Sequence, residues 1–130
     1  MANPFEYSDA LMDHFDRPRN AGVLASPDGV GSCDGPGGDR TTFYIRVREG
    51  VIGEITFQCV GCPPAIAAAS LATELAKGLP LADAATITPA TIITALGGIP
   101  ENKRHVAAIT ANALADAVAR TQTVERAPHP

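Results

Sequence analysis

Residues 43–71 read FYIRVREGVIGEITFQCVGCPPAIAAASL, and this stretch decides the fold. Apolar and polar side chains alternate on both sides of a turn at Glu49-Gly50. The apolar positions are Phe43, Ile45 and Val47, then Ile55, Phe57 and Cys59. Alternation around a turn predicts a hairpin with one buried face. After Cys62 the pattern changes: Pro63-Pro64 suits the first turn of a helix, which we expect to continue to residue 77.

The flanking segments predict the other elements. Ser8 is a suitable helix cap, and Pro18 ends a short first helix. Residues 21–40 are rich in turn formers and leave room for at most one short strand, near residues 30–33. Three helices follow, near residues 81–85, from Thr88 to the glycines at 97 and 98, and over residues 101–119. This order predicts an α+β fold, in which an antiparallel sheet of about three strands is covered on one face by an N-terminal helix and several C-terminal helices.

Length and composition indicate one domain. The chain has 130 residues, of which 45% are hydrophobic and 18% charged, and we expect a single domain over residues 1–120 with a flexible tail at 121–130. The net charge of −4 argues against nucleic acid as a partner. With no long apolar run and no signal-peptide pattern in residues 1–6, we expect a cytoplasmic protein without membrane contact.

The three cysteines carry the chemical signal. An odd number in a reducing compartment favours thiol or metal chemistry over disulfides. Cys62 stands where a strand ends and a helix begins, a position that favours a reactive thiolate; the alternative is a small side chain packed at the junction. Cys59 forms a C-x-x-C pair with Cys62, which suits a metal site or a redox dithiol. Its alternation with Phe57 also fits a buried structural thiol.

Three further residues complete the candidate ligands. Cys33 and Asp39 lie on the glycine-rich loop, where backbone freedom allows both to approach a metal. His105 lies in the first turns of the last predicted helix. The alternatives are an ordinary turn carboxylate for Asp39 and a solvated surface side chain for His105.

These residues resemble a known family, the IscU/NifU-type iron–sulfur cluster assembly scaffolds, and in particular the NifU N-terminal domain. The resemblance spans nearly the whole chain through several motifs in the family's order. They are Asp13-His14-Phe15, Arg17-Pro18-Arg19-Asn20-Ala21-Gly22, Gly38-Asp39, Gly61-Cys62, Ser70-Leu71-Ala72-Thr73-Glu74, Ala95-Leu96-Gly97-Gly98-Ile99-Pro100 and His105.

The resemblance implies a scaffold and not an enzyme. On scaffolds of this family, a cysteine desulfurase deposits sulfur as a persulfide, and iron is bound. A labile [2Fe–2S] cluster is then assembled and passed to client proteins. By position, Cys62 matches the family's middle cysteine and persulfide acceptor. Asp39 matches the motif aspartate, and His105 the histidine before the last cysteine. Gly37 and Val106 replace the other two cysteines, so the chain is a variant.

The two replaced cysteines leave the ligand set open. We expect iron or a [2Fe–2S] cluster on Cys62, with Cys59, Cys33, Asp39 and His105 as candidate ligands, and the glycine loop folding over to bring Cys33 near Cys62. A cluster shared by two chains, as a homodimer, is the other way to reach four ligands. The alternatives are a zinc site made from the same residues and a degenerate paralogue that binds partners without metal.

Overall fold

The computed structural model describes residues 7–125, of which residues 122–125 are described without side chains. The predictions made on residues 1–6 and 126–130 lie outside the described residues. The elements in chain order are α1 (Asp9–Asp16), β1 (Gly29–Asp34), β2 (Arg40–Arg48), β3 (Val51–Val60), α2 (Pro63–Ala76), α3 (Leu81–Ala84), α4 (Pro89–Ala95), a 3-10 turn (Glu101–Lys103) and α5 (His105–Glu125).

The three strands form an antiparallel sheet in the order β1-β2-β3. The turn between β2 and β3 uses left-handed backbone at Glu49 and Gly50, with φ of 56° and 77°. In the register of the sheet, Thr41 lies opposite Cys33 on β1 and opposite Cys59 on β3. The predicted hairpin and the predicted α+β class are confirmed.

Two apolar clusters hold the helices against the sheet. The first cluster joins the inner sheet face to α2, α3 and α5, and its largest members are Phe43, Ile45, Ile52, Ile55, Phe57, Leu81 and Leu114. The second cluster joins α1, α2, α4 and α5 through Leu11, Leu71, Ile92, Leu96, Ile99 and Val106. Helix α2 belongs to both and is buried along most of its length, because its alanines allow close approach from several sides.

Helix α5 lies directly on β1. A Cβ at Gly31 would stand 2.1 Å from the backbone nitrogen of Ala117, so only glycine allows this separation. Contact with the sheet continues to Thr121, which is 1% exposed and whose Oγ1 donates to the Ala117 carbonyl at 2.8 Å. Helix α5 continues to Glu125, beyond the helix end predicted at residue 119, while the domain boundary at residue 120 stays a prediction.

The start of α5 also differs from the expectation of a helix from residue 101. The chain first makes the separate 3-10 turn, and α5 begins at His105. Within residues 7–125, no helix has the length and apolar character that a membrane span requires.

Candidate functional site

A pocket of about 510 Å³ opens at the end of the sheet, where the β1–β2 loop, the β3–α2 junction and the start of α5 meet. Its lining includes Gly37, Asp39, Val60, Cys62, Lys103 and His105. Three of the five predicted site residues, Asp39, Cys62 and His105, therefore share one pocket although they lie far apart in sequence.

Cys62 is the N-cap of α2, with extended backbone at φ −76° and ψ 168°. Its carbonyl accepts the first helical hydrogen bond, from Ile66 N–H at 3.1 Å, while its thiol makes no capping bond to the helix. The thiol is therefore available to the pocket. Tyr7 is affected by Cys62. Burial raises the pKa of the tyrosine, and the negative charge of Cys62 adds to the rise.

Asp39 ends the β1–β2 loop and is held by the loop backbone. Its Oδ1 accepts a hydrogen bond from Gly37 N–H at 3.1 Å, and its carbonyl accepts one from Gly35 N–H at 2.8 Å. The carboxylate occupies the place of a Gly35 side chain, since a Cβ there would stand 2.6 Å from Oδ2. Small residues in the loop thus fix the carboxylate at the rim of the pocket.

His105 and Lys103 form the opposite wall. His105 is exposed at the first residue of α5, and Lys103 is half-buried at the end of the 3-10 turn. Together with Cys62 and Asp39 they offer sulfur, oxygen and nitrogen donors beside one cation. Within residues 7–125, no three His, Cys, Asp or Glu side chains stand close enough to form a ready metal cage, so binding a metal requires these side chains to converge.

Cys59 lies on the helix-facing side of β3, as its alternation predicted. It is partly buried and packs against both apolar clusters. Its Sγ is hydrogen-bonded with Thr41 Oγ1 at 3.5 Å. Burial raises the pKa of the Cys59 thiol, the negative charges of Cys62 and Asp39 add to this rise, and the hydrogen bond to Thr41 opposes it. Cys59 is therefore a neutral thiol behind the pocket.

Cys33 lies elsewhere. It belongs to β1 and not to the loop, and it lines a separate groove with Arg40, Asp116 and Arg120. One strand separates it from Cys59, which places their Cα atoms about 10 Å apart at the usual strand spacing. The structure does not bring Cys33 beside Cys62, because pairing with β2 fixes its position along the sheet.

The two positions without the family's cysteines have different surroundings. Gly37 lines the pocket, and a Cβ added there would meet only Asp39 Oδ1, at 3.7 Å. Val106 is 1% exposed and belongs to the second apolar cluster. Gly37 leaves space in the pocket, and Val106 contributes an apolar side chain to the core.

Sequence reasoning missed Lys103 and Tyr7 as parts of this site. Lys103 precedes His105 by two residues, and no local pattern assigns it to a site. Tyr7 precedes the first helix, and nothing in the local pattern connects it with Cys62. Lys103 reaches the pocket from the 3-10 turn before α5, and Tyr7 packs against the second apolar cluster together with Cys62.

Comparison with known proteins gives consistent matches over most of the chain. The model of the NifU-like N-terminal domain matches residues 6–126. The chain is 45% identical over 113 residues to "iron–sulfur cluster assembly scaffold protein IscU 1" of Archaeoglobus fulgidus, covering 86% of this chain and 74% of the relative. It is 39% identical over 117 residues to the scaffold protein IscU of Azotobacter vinelandii, covering 86% and 91%.

Solved structures share the fold. The crystal structure of a NifU-like N-terminal protein from Brucella abortus has a TM-score of 0.71 at 20% identity, covering 92% of this chain and 94% of that one. A SUF-system scaffold described as putative, from Fervidobacterium islandicum, has a TM-score of 0.72 at 15% identity, covering 86% and 96%. The three-stranded sheet with its helices is therefore an architecture already seen in crystals.

Proposed function

Because the chain belongs to the family of NifU-like N-terminal domains, we propose that it is a scaffold for iron–sulfur cluster assembly and not an enzyme. The observation that carries the proposal is the meeting of Asp39, Cys62 and His105 in one open pocket. A scaffold needs a nucleophilic thiol for sulfur, further ligands for iron, and an opening through which both leave again.

Cys62 is the proposed sulfur acceptor. Its thiolate attacks the outer sulfur of a persulfide carried by a cysteine desulfurase, forming Cys62–S–S⁻ and releasing the donor's thiolate. The N-terminus of α2 favours the negative charge at this place. Lys103, which lines the same pocket from the opposite side, compensates the charge of the anionic persulfide.

Asp39, Cys62 and His105 are the proposed iron ligands. Three donors leave one position of a tetrahedral ion free for sulfide. A complete [2Fe–2S] cluster normally takes four protein ligands, and we propose that a second copy of the chain supplies the missing ones. Cys33 is left out of this set, since it lines another groove, and Cys59 is left out because it lies behind the pocket wall.

Zinc is the second candidate for the same pocket. One sulfur, one nitrogen and one oxygen donor with an open position suit a tetrahedral zinc ion as well as ferrous iron. Metal analysis after anaerobic purification separates the two, because an iron–sulfur cluster absorbs visible light and a zinc site does not. Protein that is purified without metal or colour, and that gains neither metal nor colour on reconstitution, would favour a degenerate paralogue that binds partners without metal.

Sulfur loading tests the proposal. The reduced chain is incubated with a cysteine desulfurase and cysteine, and the site of added sulfur is mapped by peptide mass spectrometry. We expect sulfur on Cys62, no loading of Cys62→Ser, and normal loading of Cys33→Ser, which removes a thiol outside the pocket. Undiminished loading of Cys62→Ser would contradict the proposal.

Metal binding tests the ligand set separately. Asp39→Ala, Cys62→Ser and His105→Ala should each weaken ferrous iron or zinc binding, measured by competition with a chelator, whereas Cys33→Ser should not. Because binding must draw the pocket side chains together, metal should also raise the Tm of the wild type. Equal affinity in all four variants would place the metal elsewhere.

A further inference from the structure

Cys59 and Cys62 stand on either side of the junction between β3 and α2. Cys59 lies at the end of β3, Cys62 caps α2, and both side chains pack against the second apolar cluster. Burial raises the pKa of the Cys59 thiol, and the negative charge of an ionised Cys62 adds to that rise. Neither is in a disulfide, so the structure holds two reduced thiols at the junction between strand and helix.

Gly61, between the two cysteines, lies beside the Cys59 sulfur and has no side chain to cover it. At Gly61, a Cβ would stand 3.6 Å from Cys59 Sγ and 3.4 Å from the Cβ of Asp39. A side chain at this position would therefore cover the thiol on the side facing Asp39. Val60 is 71% exposed and Gly61 is exposed as well, so neither residue is packed in the core, and the pairing of Val60 with Arg40 is the last of the ladder between β2 and β3.

We propose that Cys59 is an internal reductant for the persulfide that Cys62 receives. The Cys59 sulfur attacks the inner sulfur of Cys62–S–S⁻, a Cys59–Cys62 disulfide forms, and the outer sulfur leaves. The thiol proton of Cys59 passes to the leaving sulfur, so the products are the disulfide and HS⁻. The outer sulfur, formally sulfane, gains two electrons, and the two cysteine sulfurs supply them. This inference rests on the proposed function, which provides the persulfide.

The position of Cys59 suits this reaction. Cys59 is partly buried against both apolar clusters, so a donor protein reaches Cys62 more easily and Cys59 does not compete for the first transfer. Thr41 Oγ1, hydrogen-bonded to its sulfur, is placed to stabilise the sulfur as the proton departs. Hydrosulfide is also a better leaving group than an alkyl thiolate, because the better leaving group in thiol exchange is the weaker base.

The consequence is sulfide released inside the metal pocket. Asp39 and His105 line the pocket that holds Cys62, so iron bound there meets the sulfide where it forms. Cluster assembly needs sulfur as sulfide, and this chain would make the first equivalent without an electron donor protein. A further turnover requires an external dithiol to reduce the disulfide by exchange.

A single-turnover experiment tests the proposal. The fully reduced chain is loaded anaerobically with cysteine persulfide, desalted, and followed without added thiol by sulfide release and intact mass. We expect the wild type to gain one sulfur atom and then lose it as sulfide, ending lighter by two hydrogens than the reduced chain. Peptide mapping should find the new disulfide between Cys59 and Cys62.

Variants separate the possible results. Cys59→Ser should hold the persulfide and release sulfide at least about tenfold more slowly, whereas Cys33→Ser should behave as the wild type. A thermal melt of Cys59→Ser controls for folding, and Cys59→Ala provides a second substitution. Wild type that gains no sulfur would contradict the proposed function itself. Sulfur loading at Cys62 followed by equal release from Cys59→Ser, or a persulfide that persists in wild type, would overturn this inference alone.

Discussion

Returning a thiol to position 37 should tighten metal binding at the pocket. Gly37 lines the pocket, its backbone is in the ordinary region, and an added Cβ meets only Asp39 Oδ1 at 3.7 Å. Gly37→Cys therefore adds a fourth donor without steric cost. Four-ligand structural zinc sites bind with about 10–16 kcal/mol, or roughly 3 kcal/mol per ligand. One more thiolate should lower the Kd about a hundredfold.

Cobalt(II) as a spectroscopic probe and zinc competition with a chelator measure this change. Thiolate-to-cobalt absorption should rise as the number of sulfur ligands goes from one to two. Gly53→Cys is the matched control, because an added Cβ there has room, 3.6 Å from Arg46 O, and lies on β3 in a different pocket. If Gly37→Cys binds no tighter than Gly53→Cys, the ligand set centred on Cys62 and Asp39 is wrong.

Three further predictions concern stability and Cys33, the thiol that is left out of the ligand set. Gly31→Ala should lower the free energy of unfolding by about 1–3 kcal/mol or more, and Tm by several degrees, because the new Cβ meets the Ala117 backbone; an unchanged Tm would contradict the close packing. His14 is 7% exposed and its Nδ1 is 2.8 Å from Ser70 Oγ, and burial lowers its pKa, so its contribution to stability is present above about pH 6.5 and is lost as pH falls. Urea midpoints from pH 8 to 5 should show this decline, and His14→Gln should reduce it. Metal should raise the Tm of Cys33→Ser as much as that of the wild type, and a lost gain would return Cys33 to the ligand set.

Local sequence patterns were sufficient for the main elements. Alternation from Phe43 to Cys59 predicted the hairpin, and Pro63-Pro64 predicted the start of α2, which ends at Ala76, one residue before the expected end. Patterns of this kind involve only residues that are close in sequence. The structure agrees with them because each strand or helix buries the apolar face that its sequence periodicity creates. The burial of Cys59 on the inner sheet face follows from the same rule.

The relative positions of residues that are distant in sequence could be predicted less well. The inward positions of β1 are Gly29, Gly31 and Cys33, the last partly buried against the first apolar cluster. Because two of the three are glycines, β1 shows little hydrophobic alternation, and its register with Thr41 could not be read from the sequence. The length of α5 depends on its contact with those glycines. The grouping of Asp39 and His105 with Cys62 came from the family resemblance, because no local pattern connects a loop, a helix start and a strand end.

The content of iron and sulfide after reconstitution tests the scaffold proposal most directly. The chain is incubated anaerobically with a cysteine desulfurase, cysteine, ferrous iron and a dithiol, then desalted and analysed for iron, acid-labile sulfide and visible absorption. The wild type should retain iron and sulfide in equal amounts with the colour of a cluster, and Cys62→Ser should retain neither. Wild type that stays colourless, or Cys62→Ser that holds as much iron and sulfide, would contradict cluster assembly at this pocket.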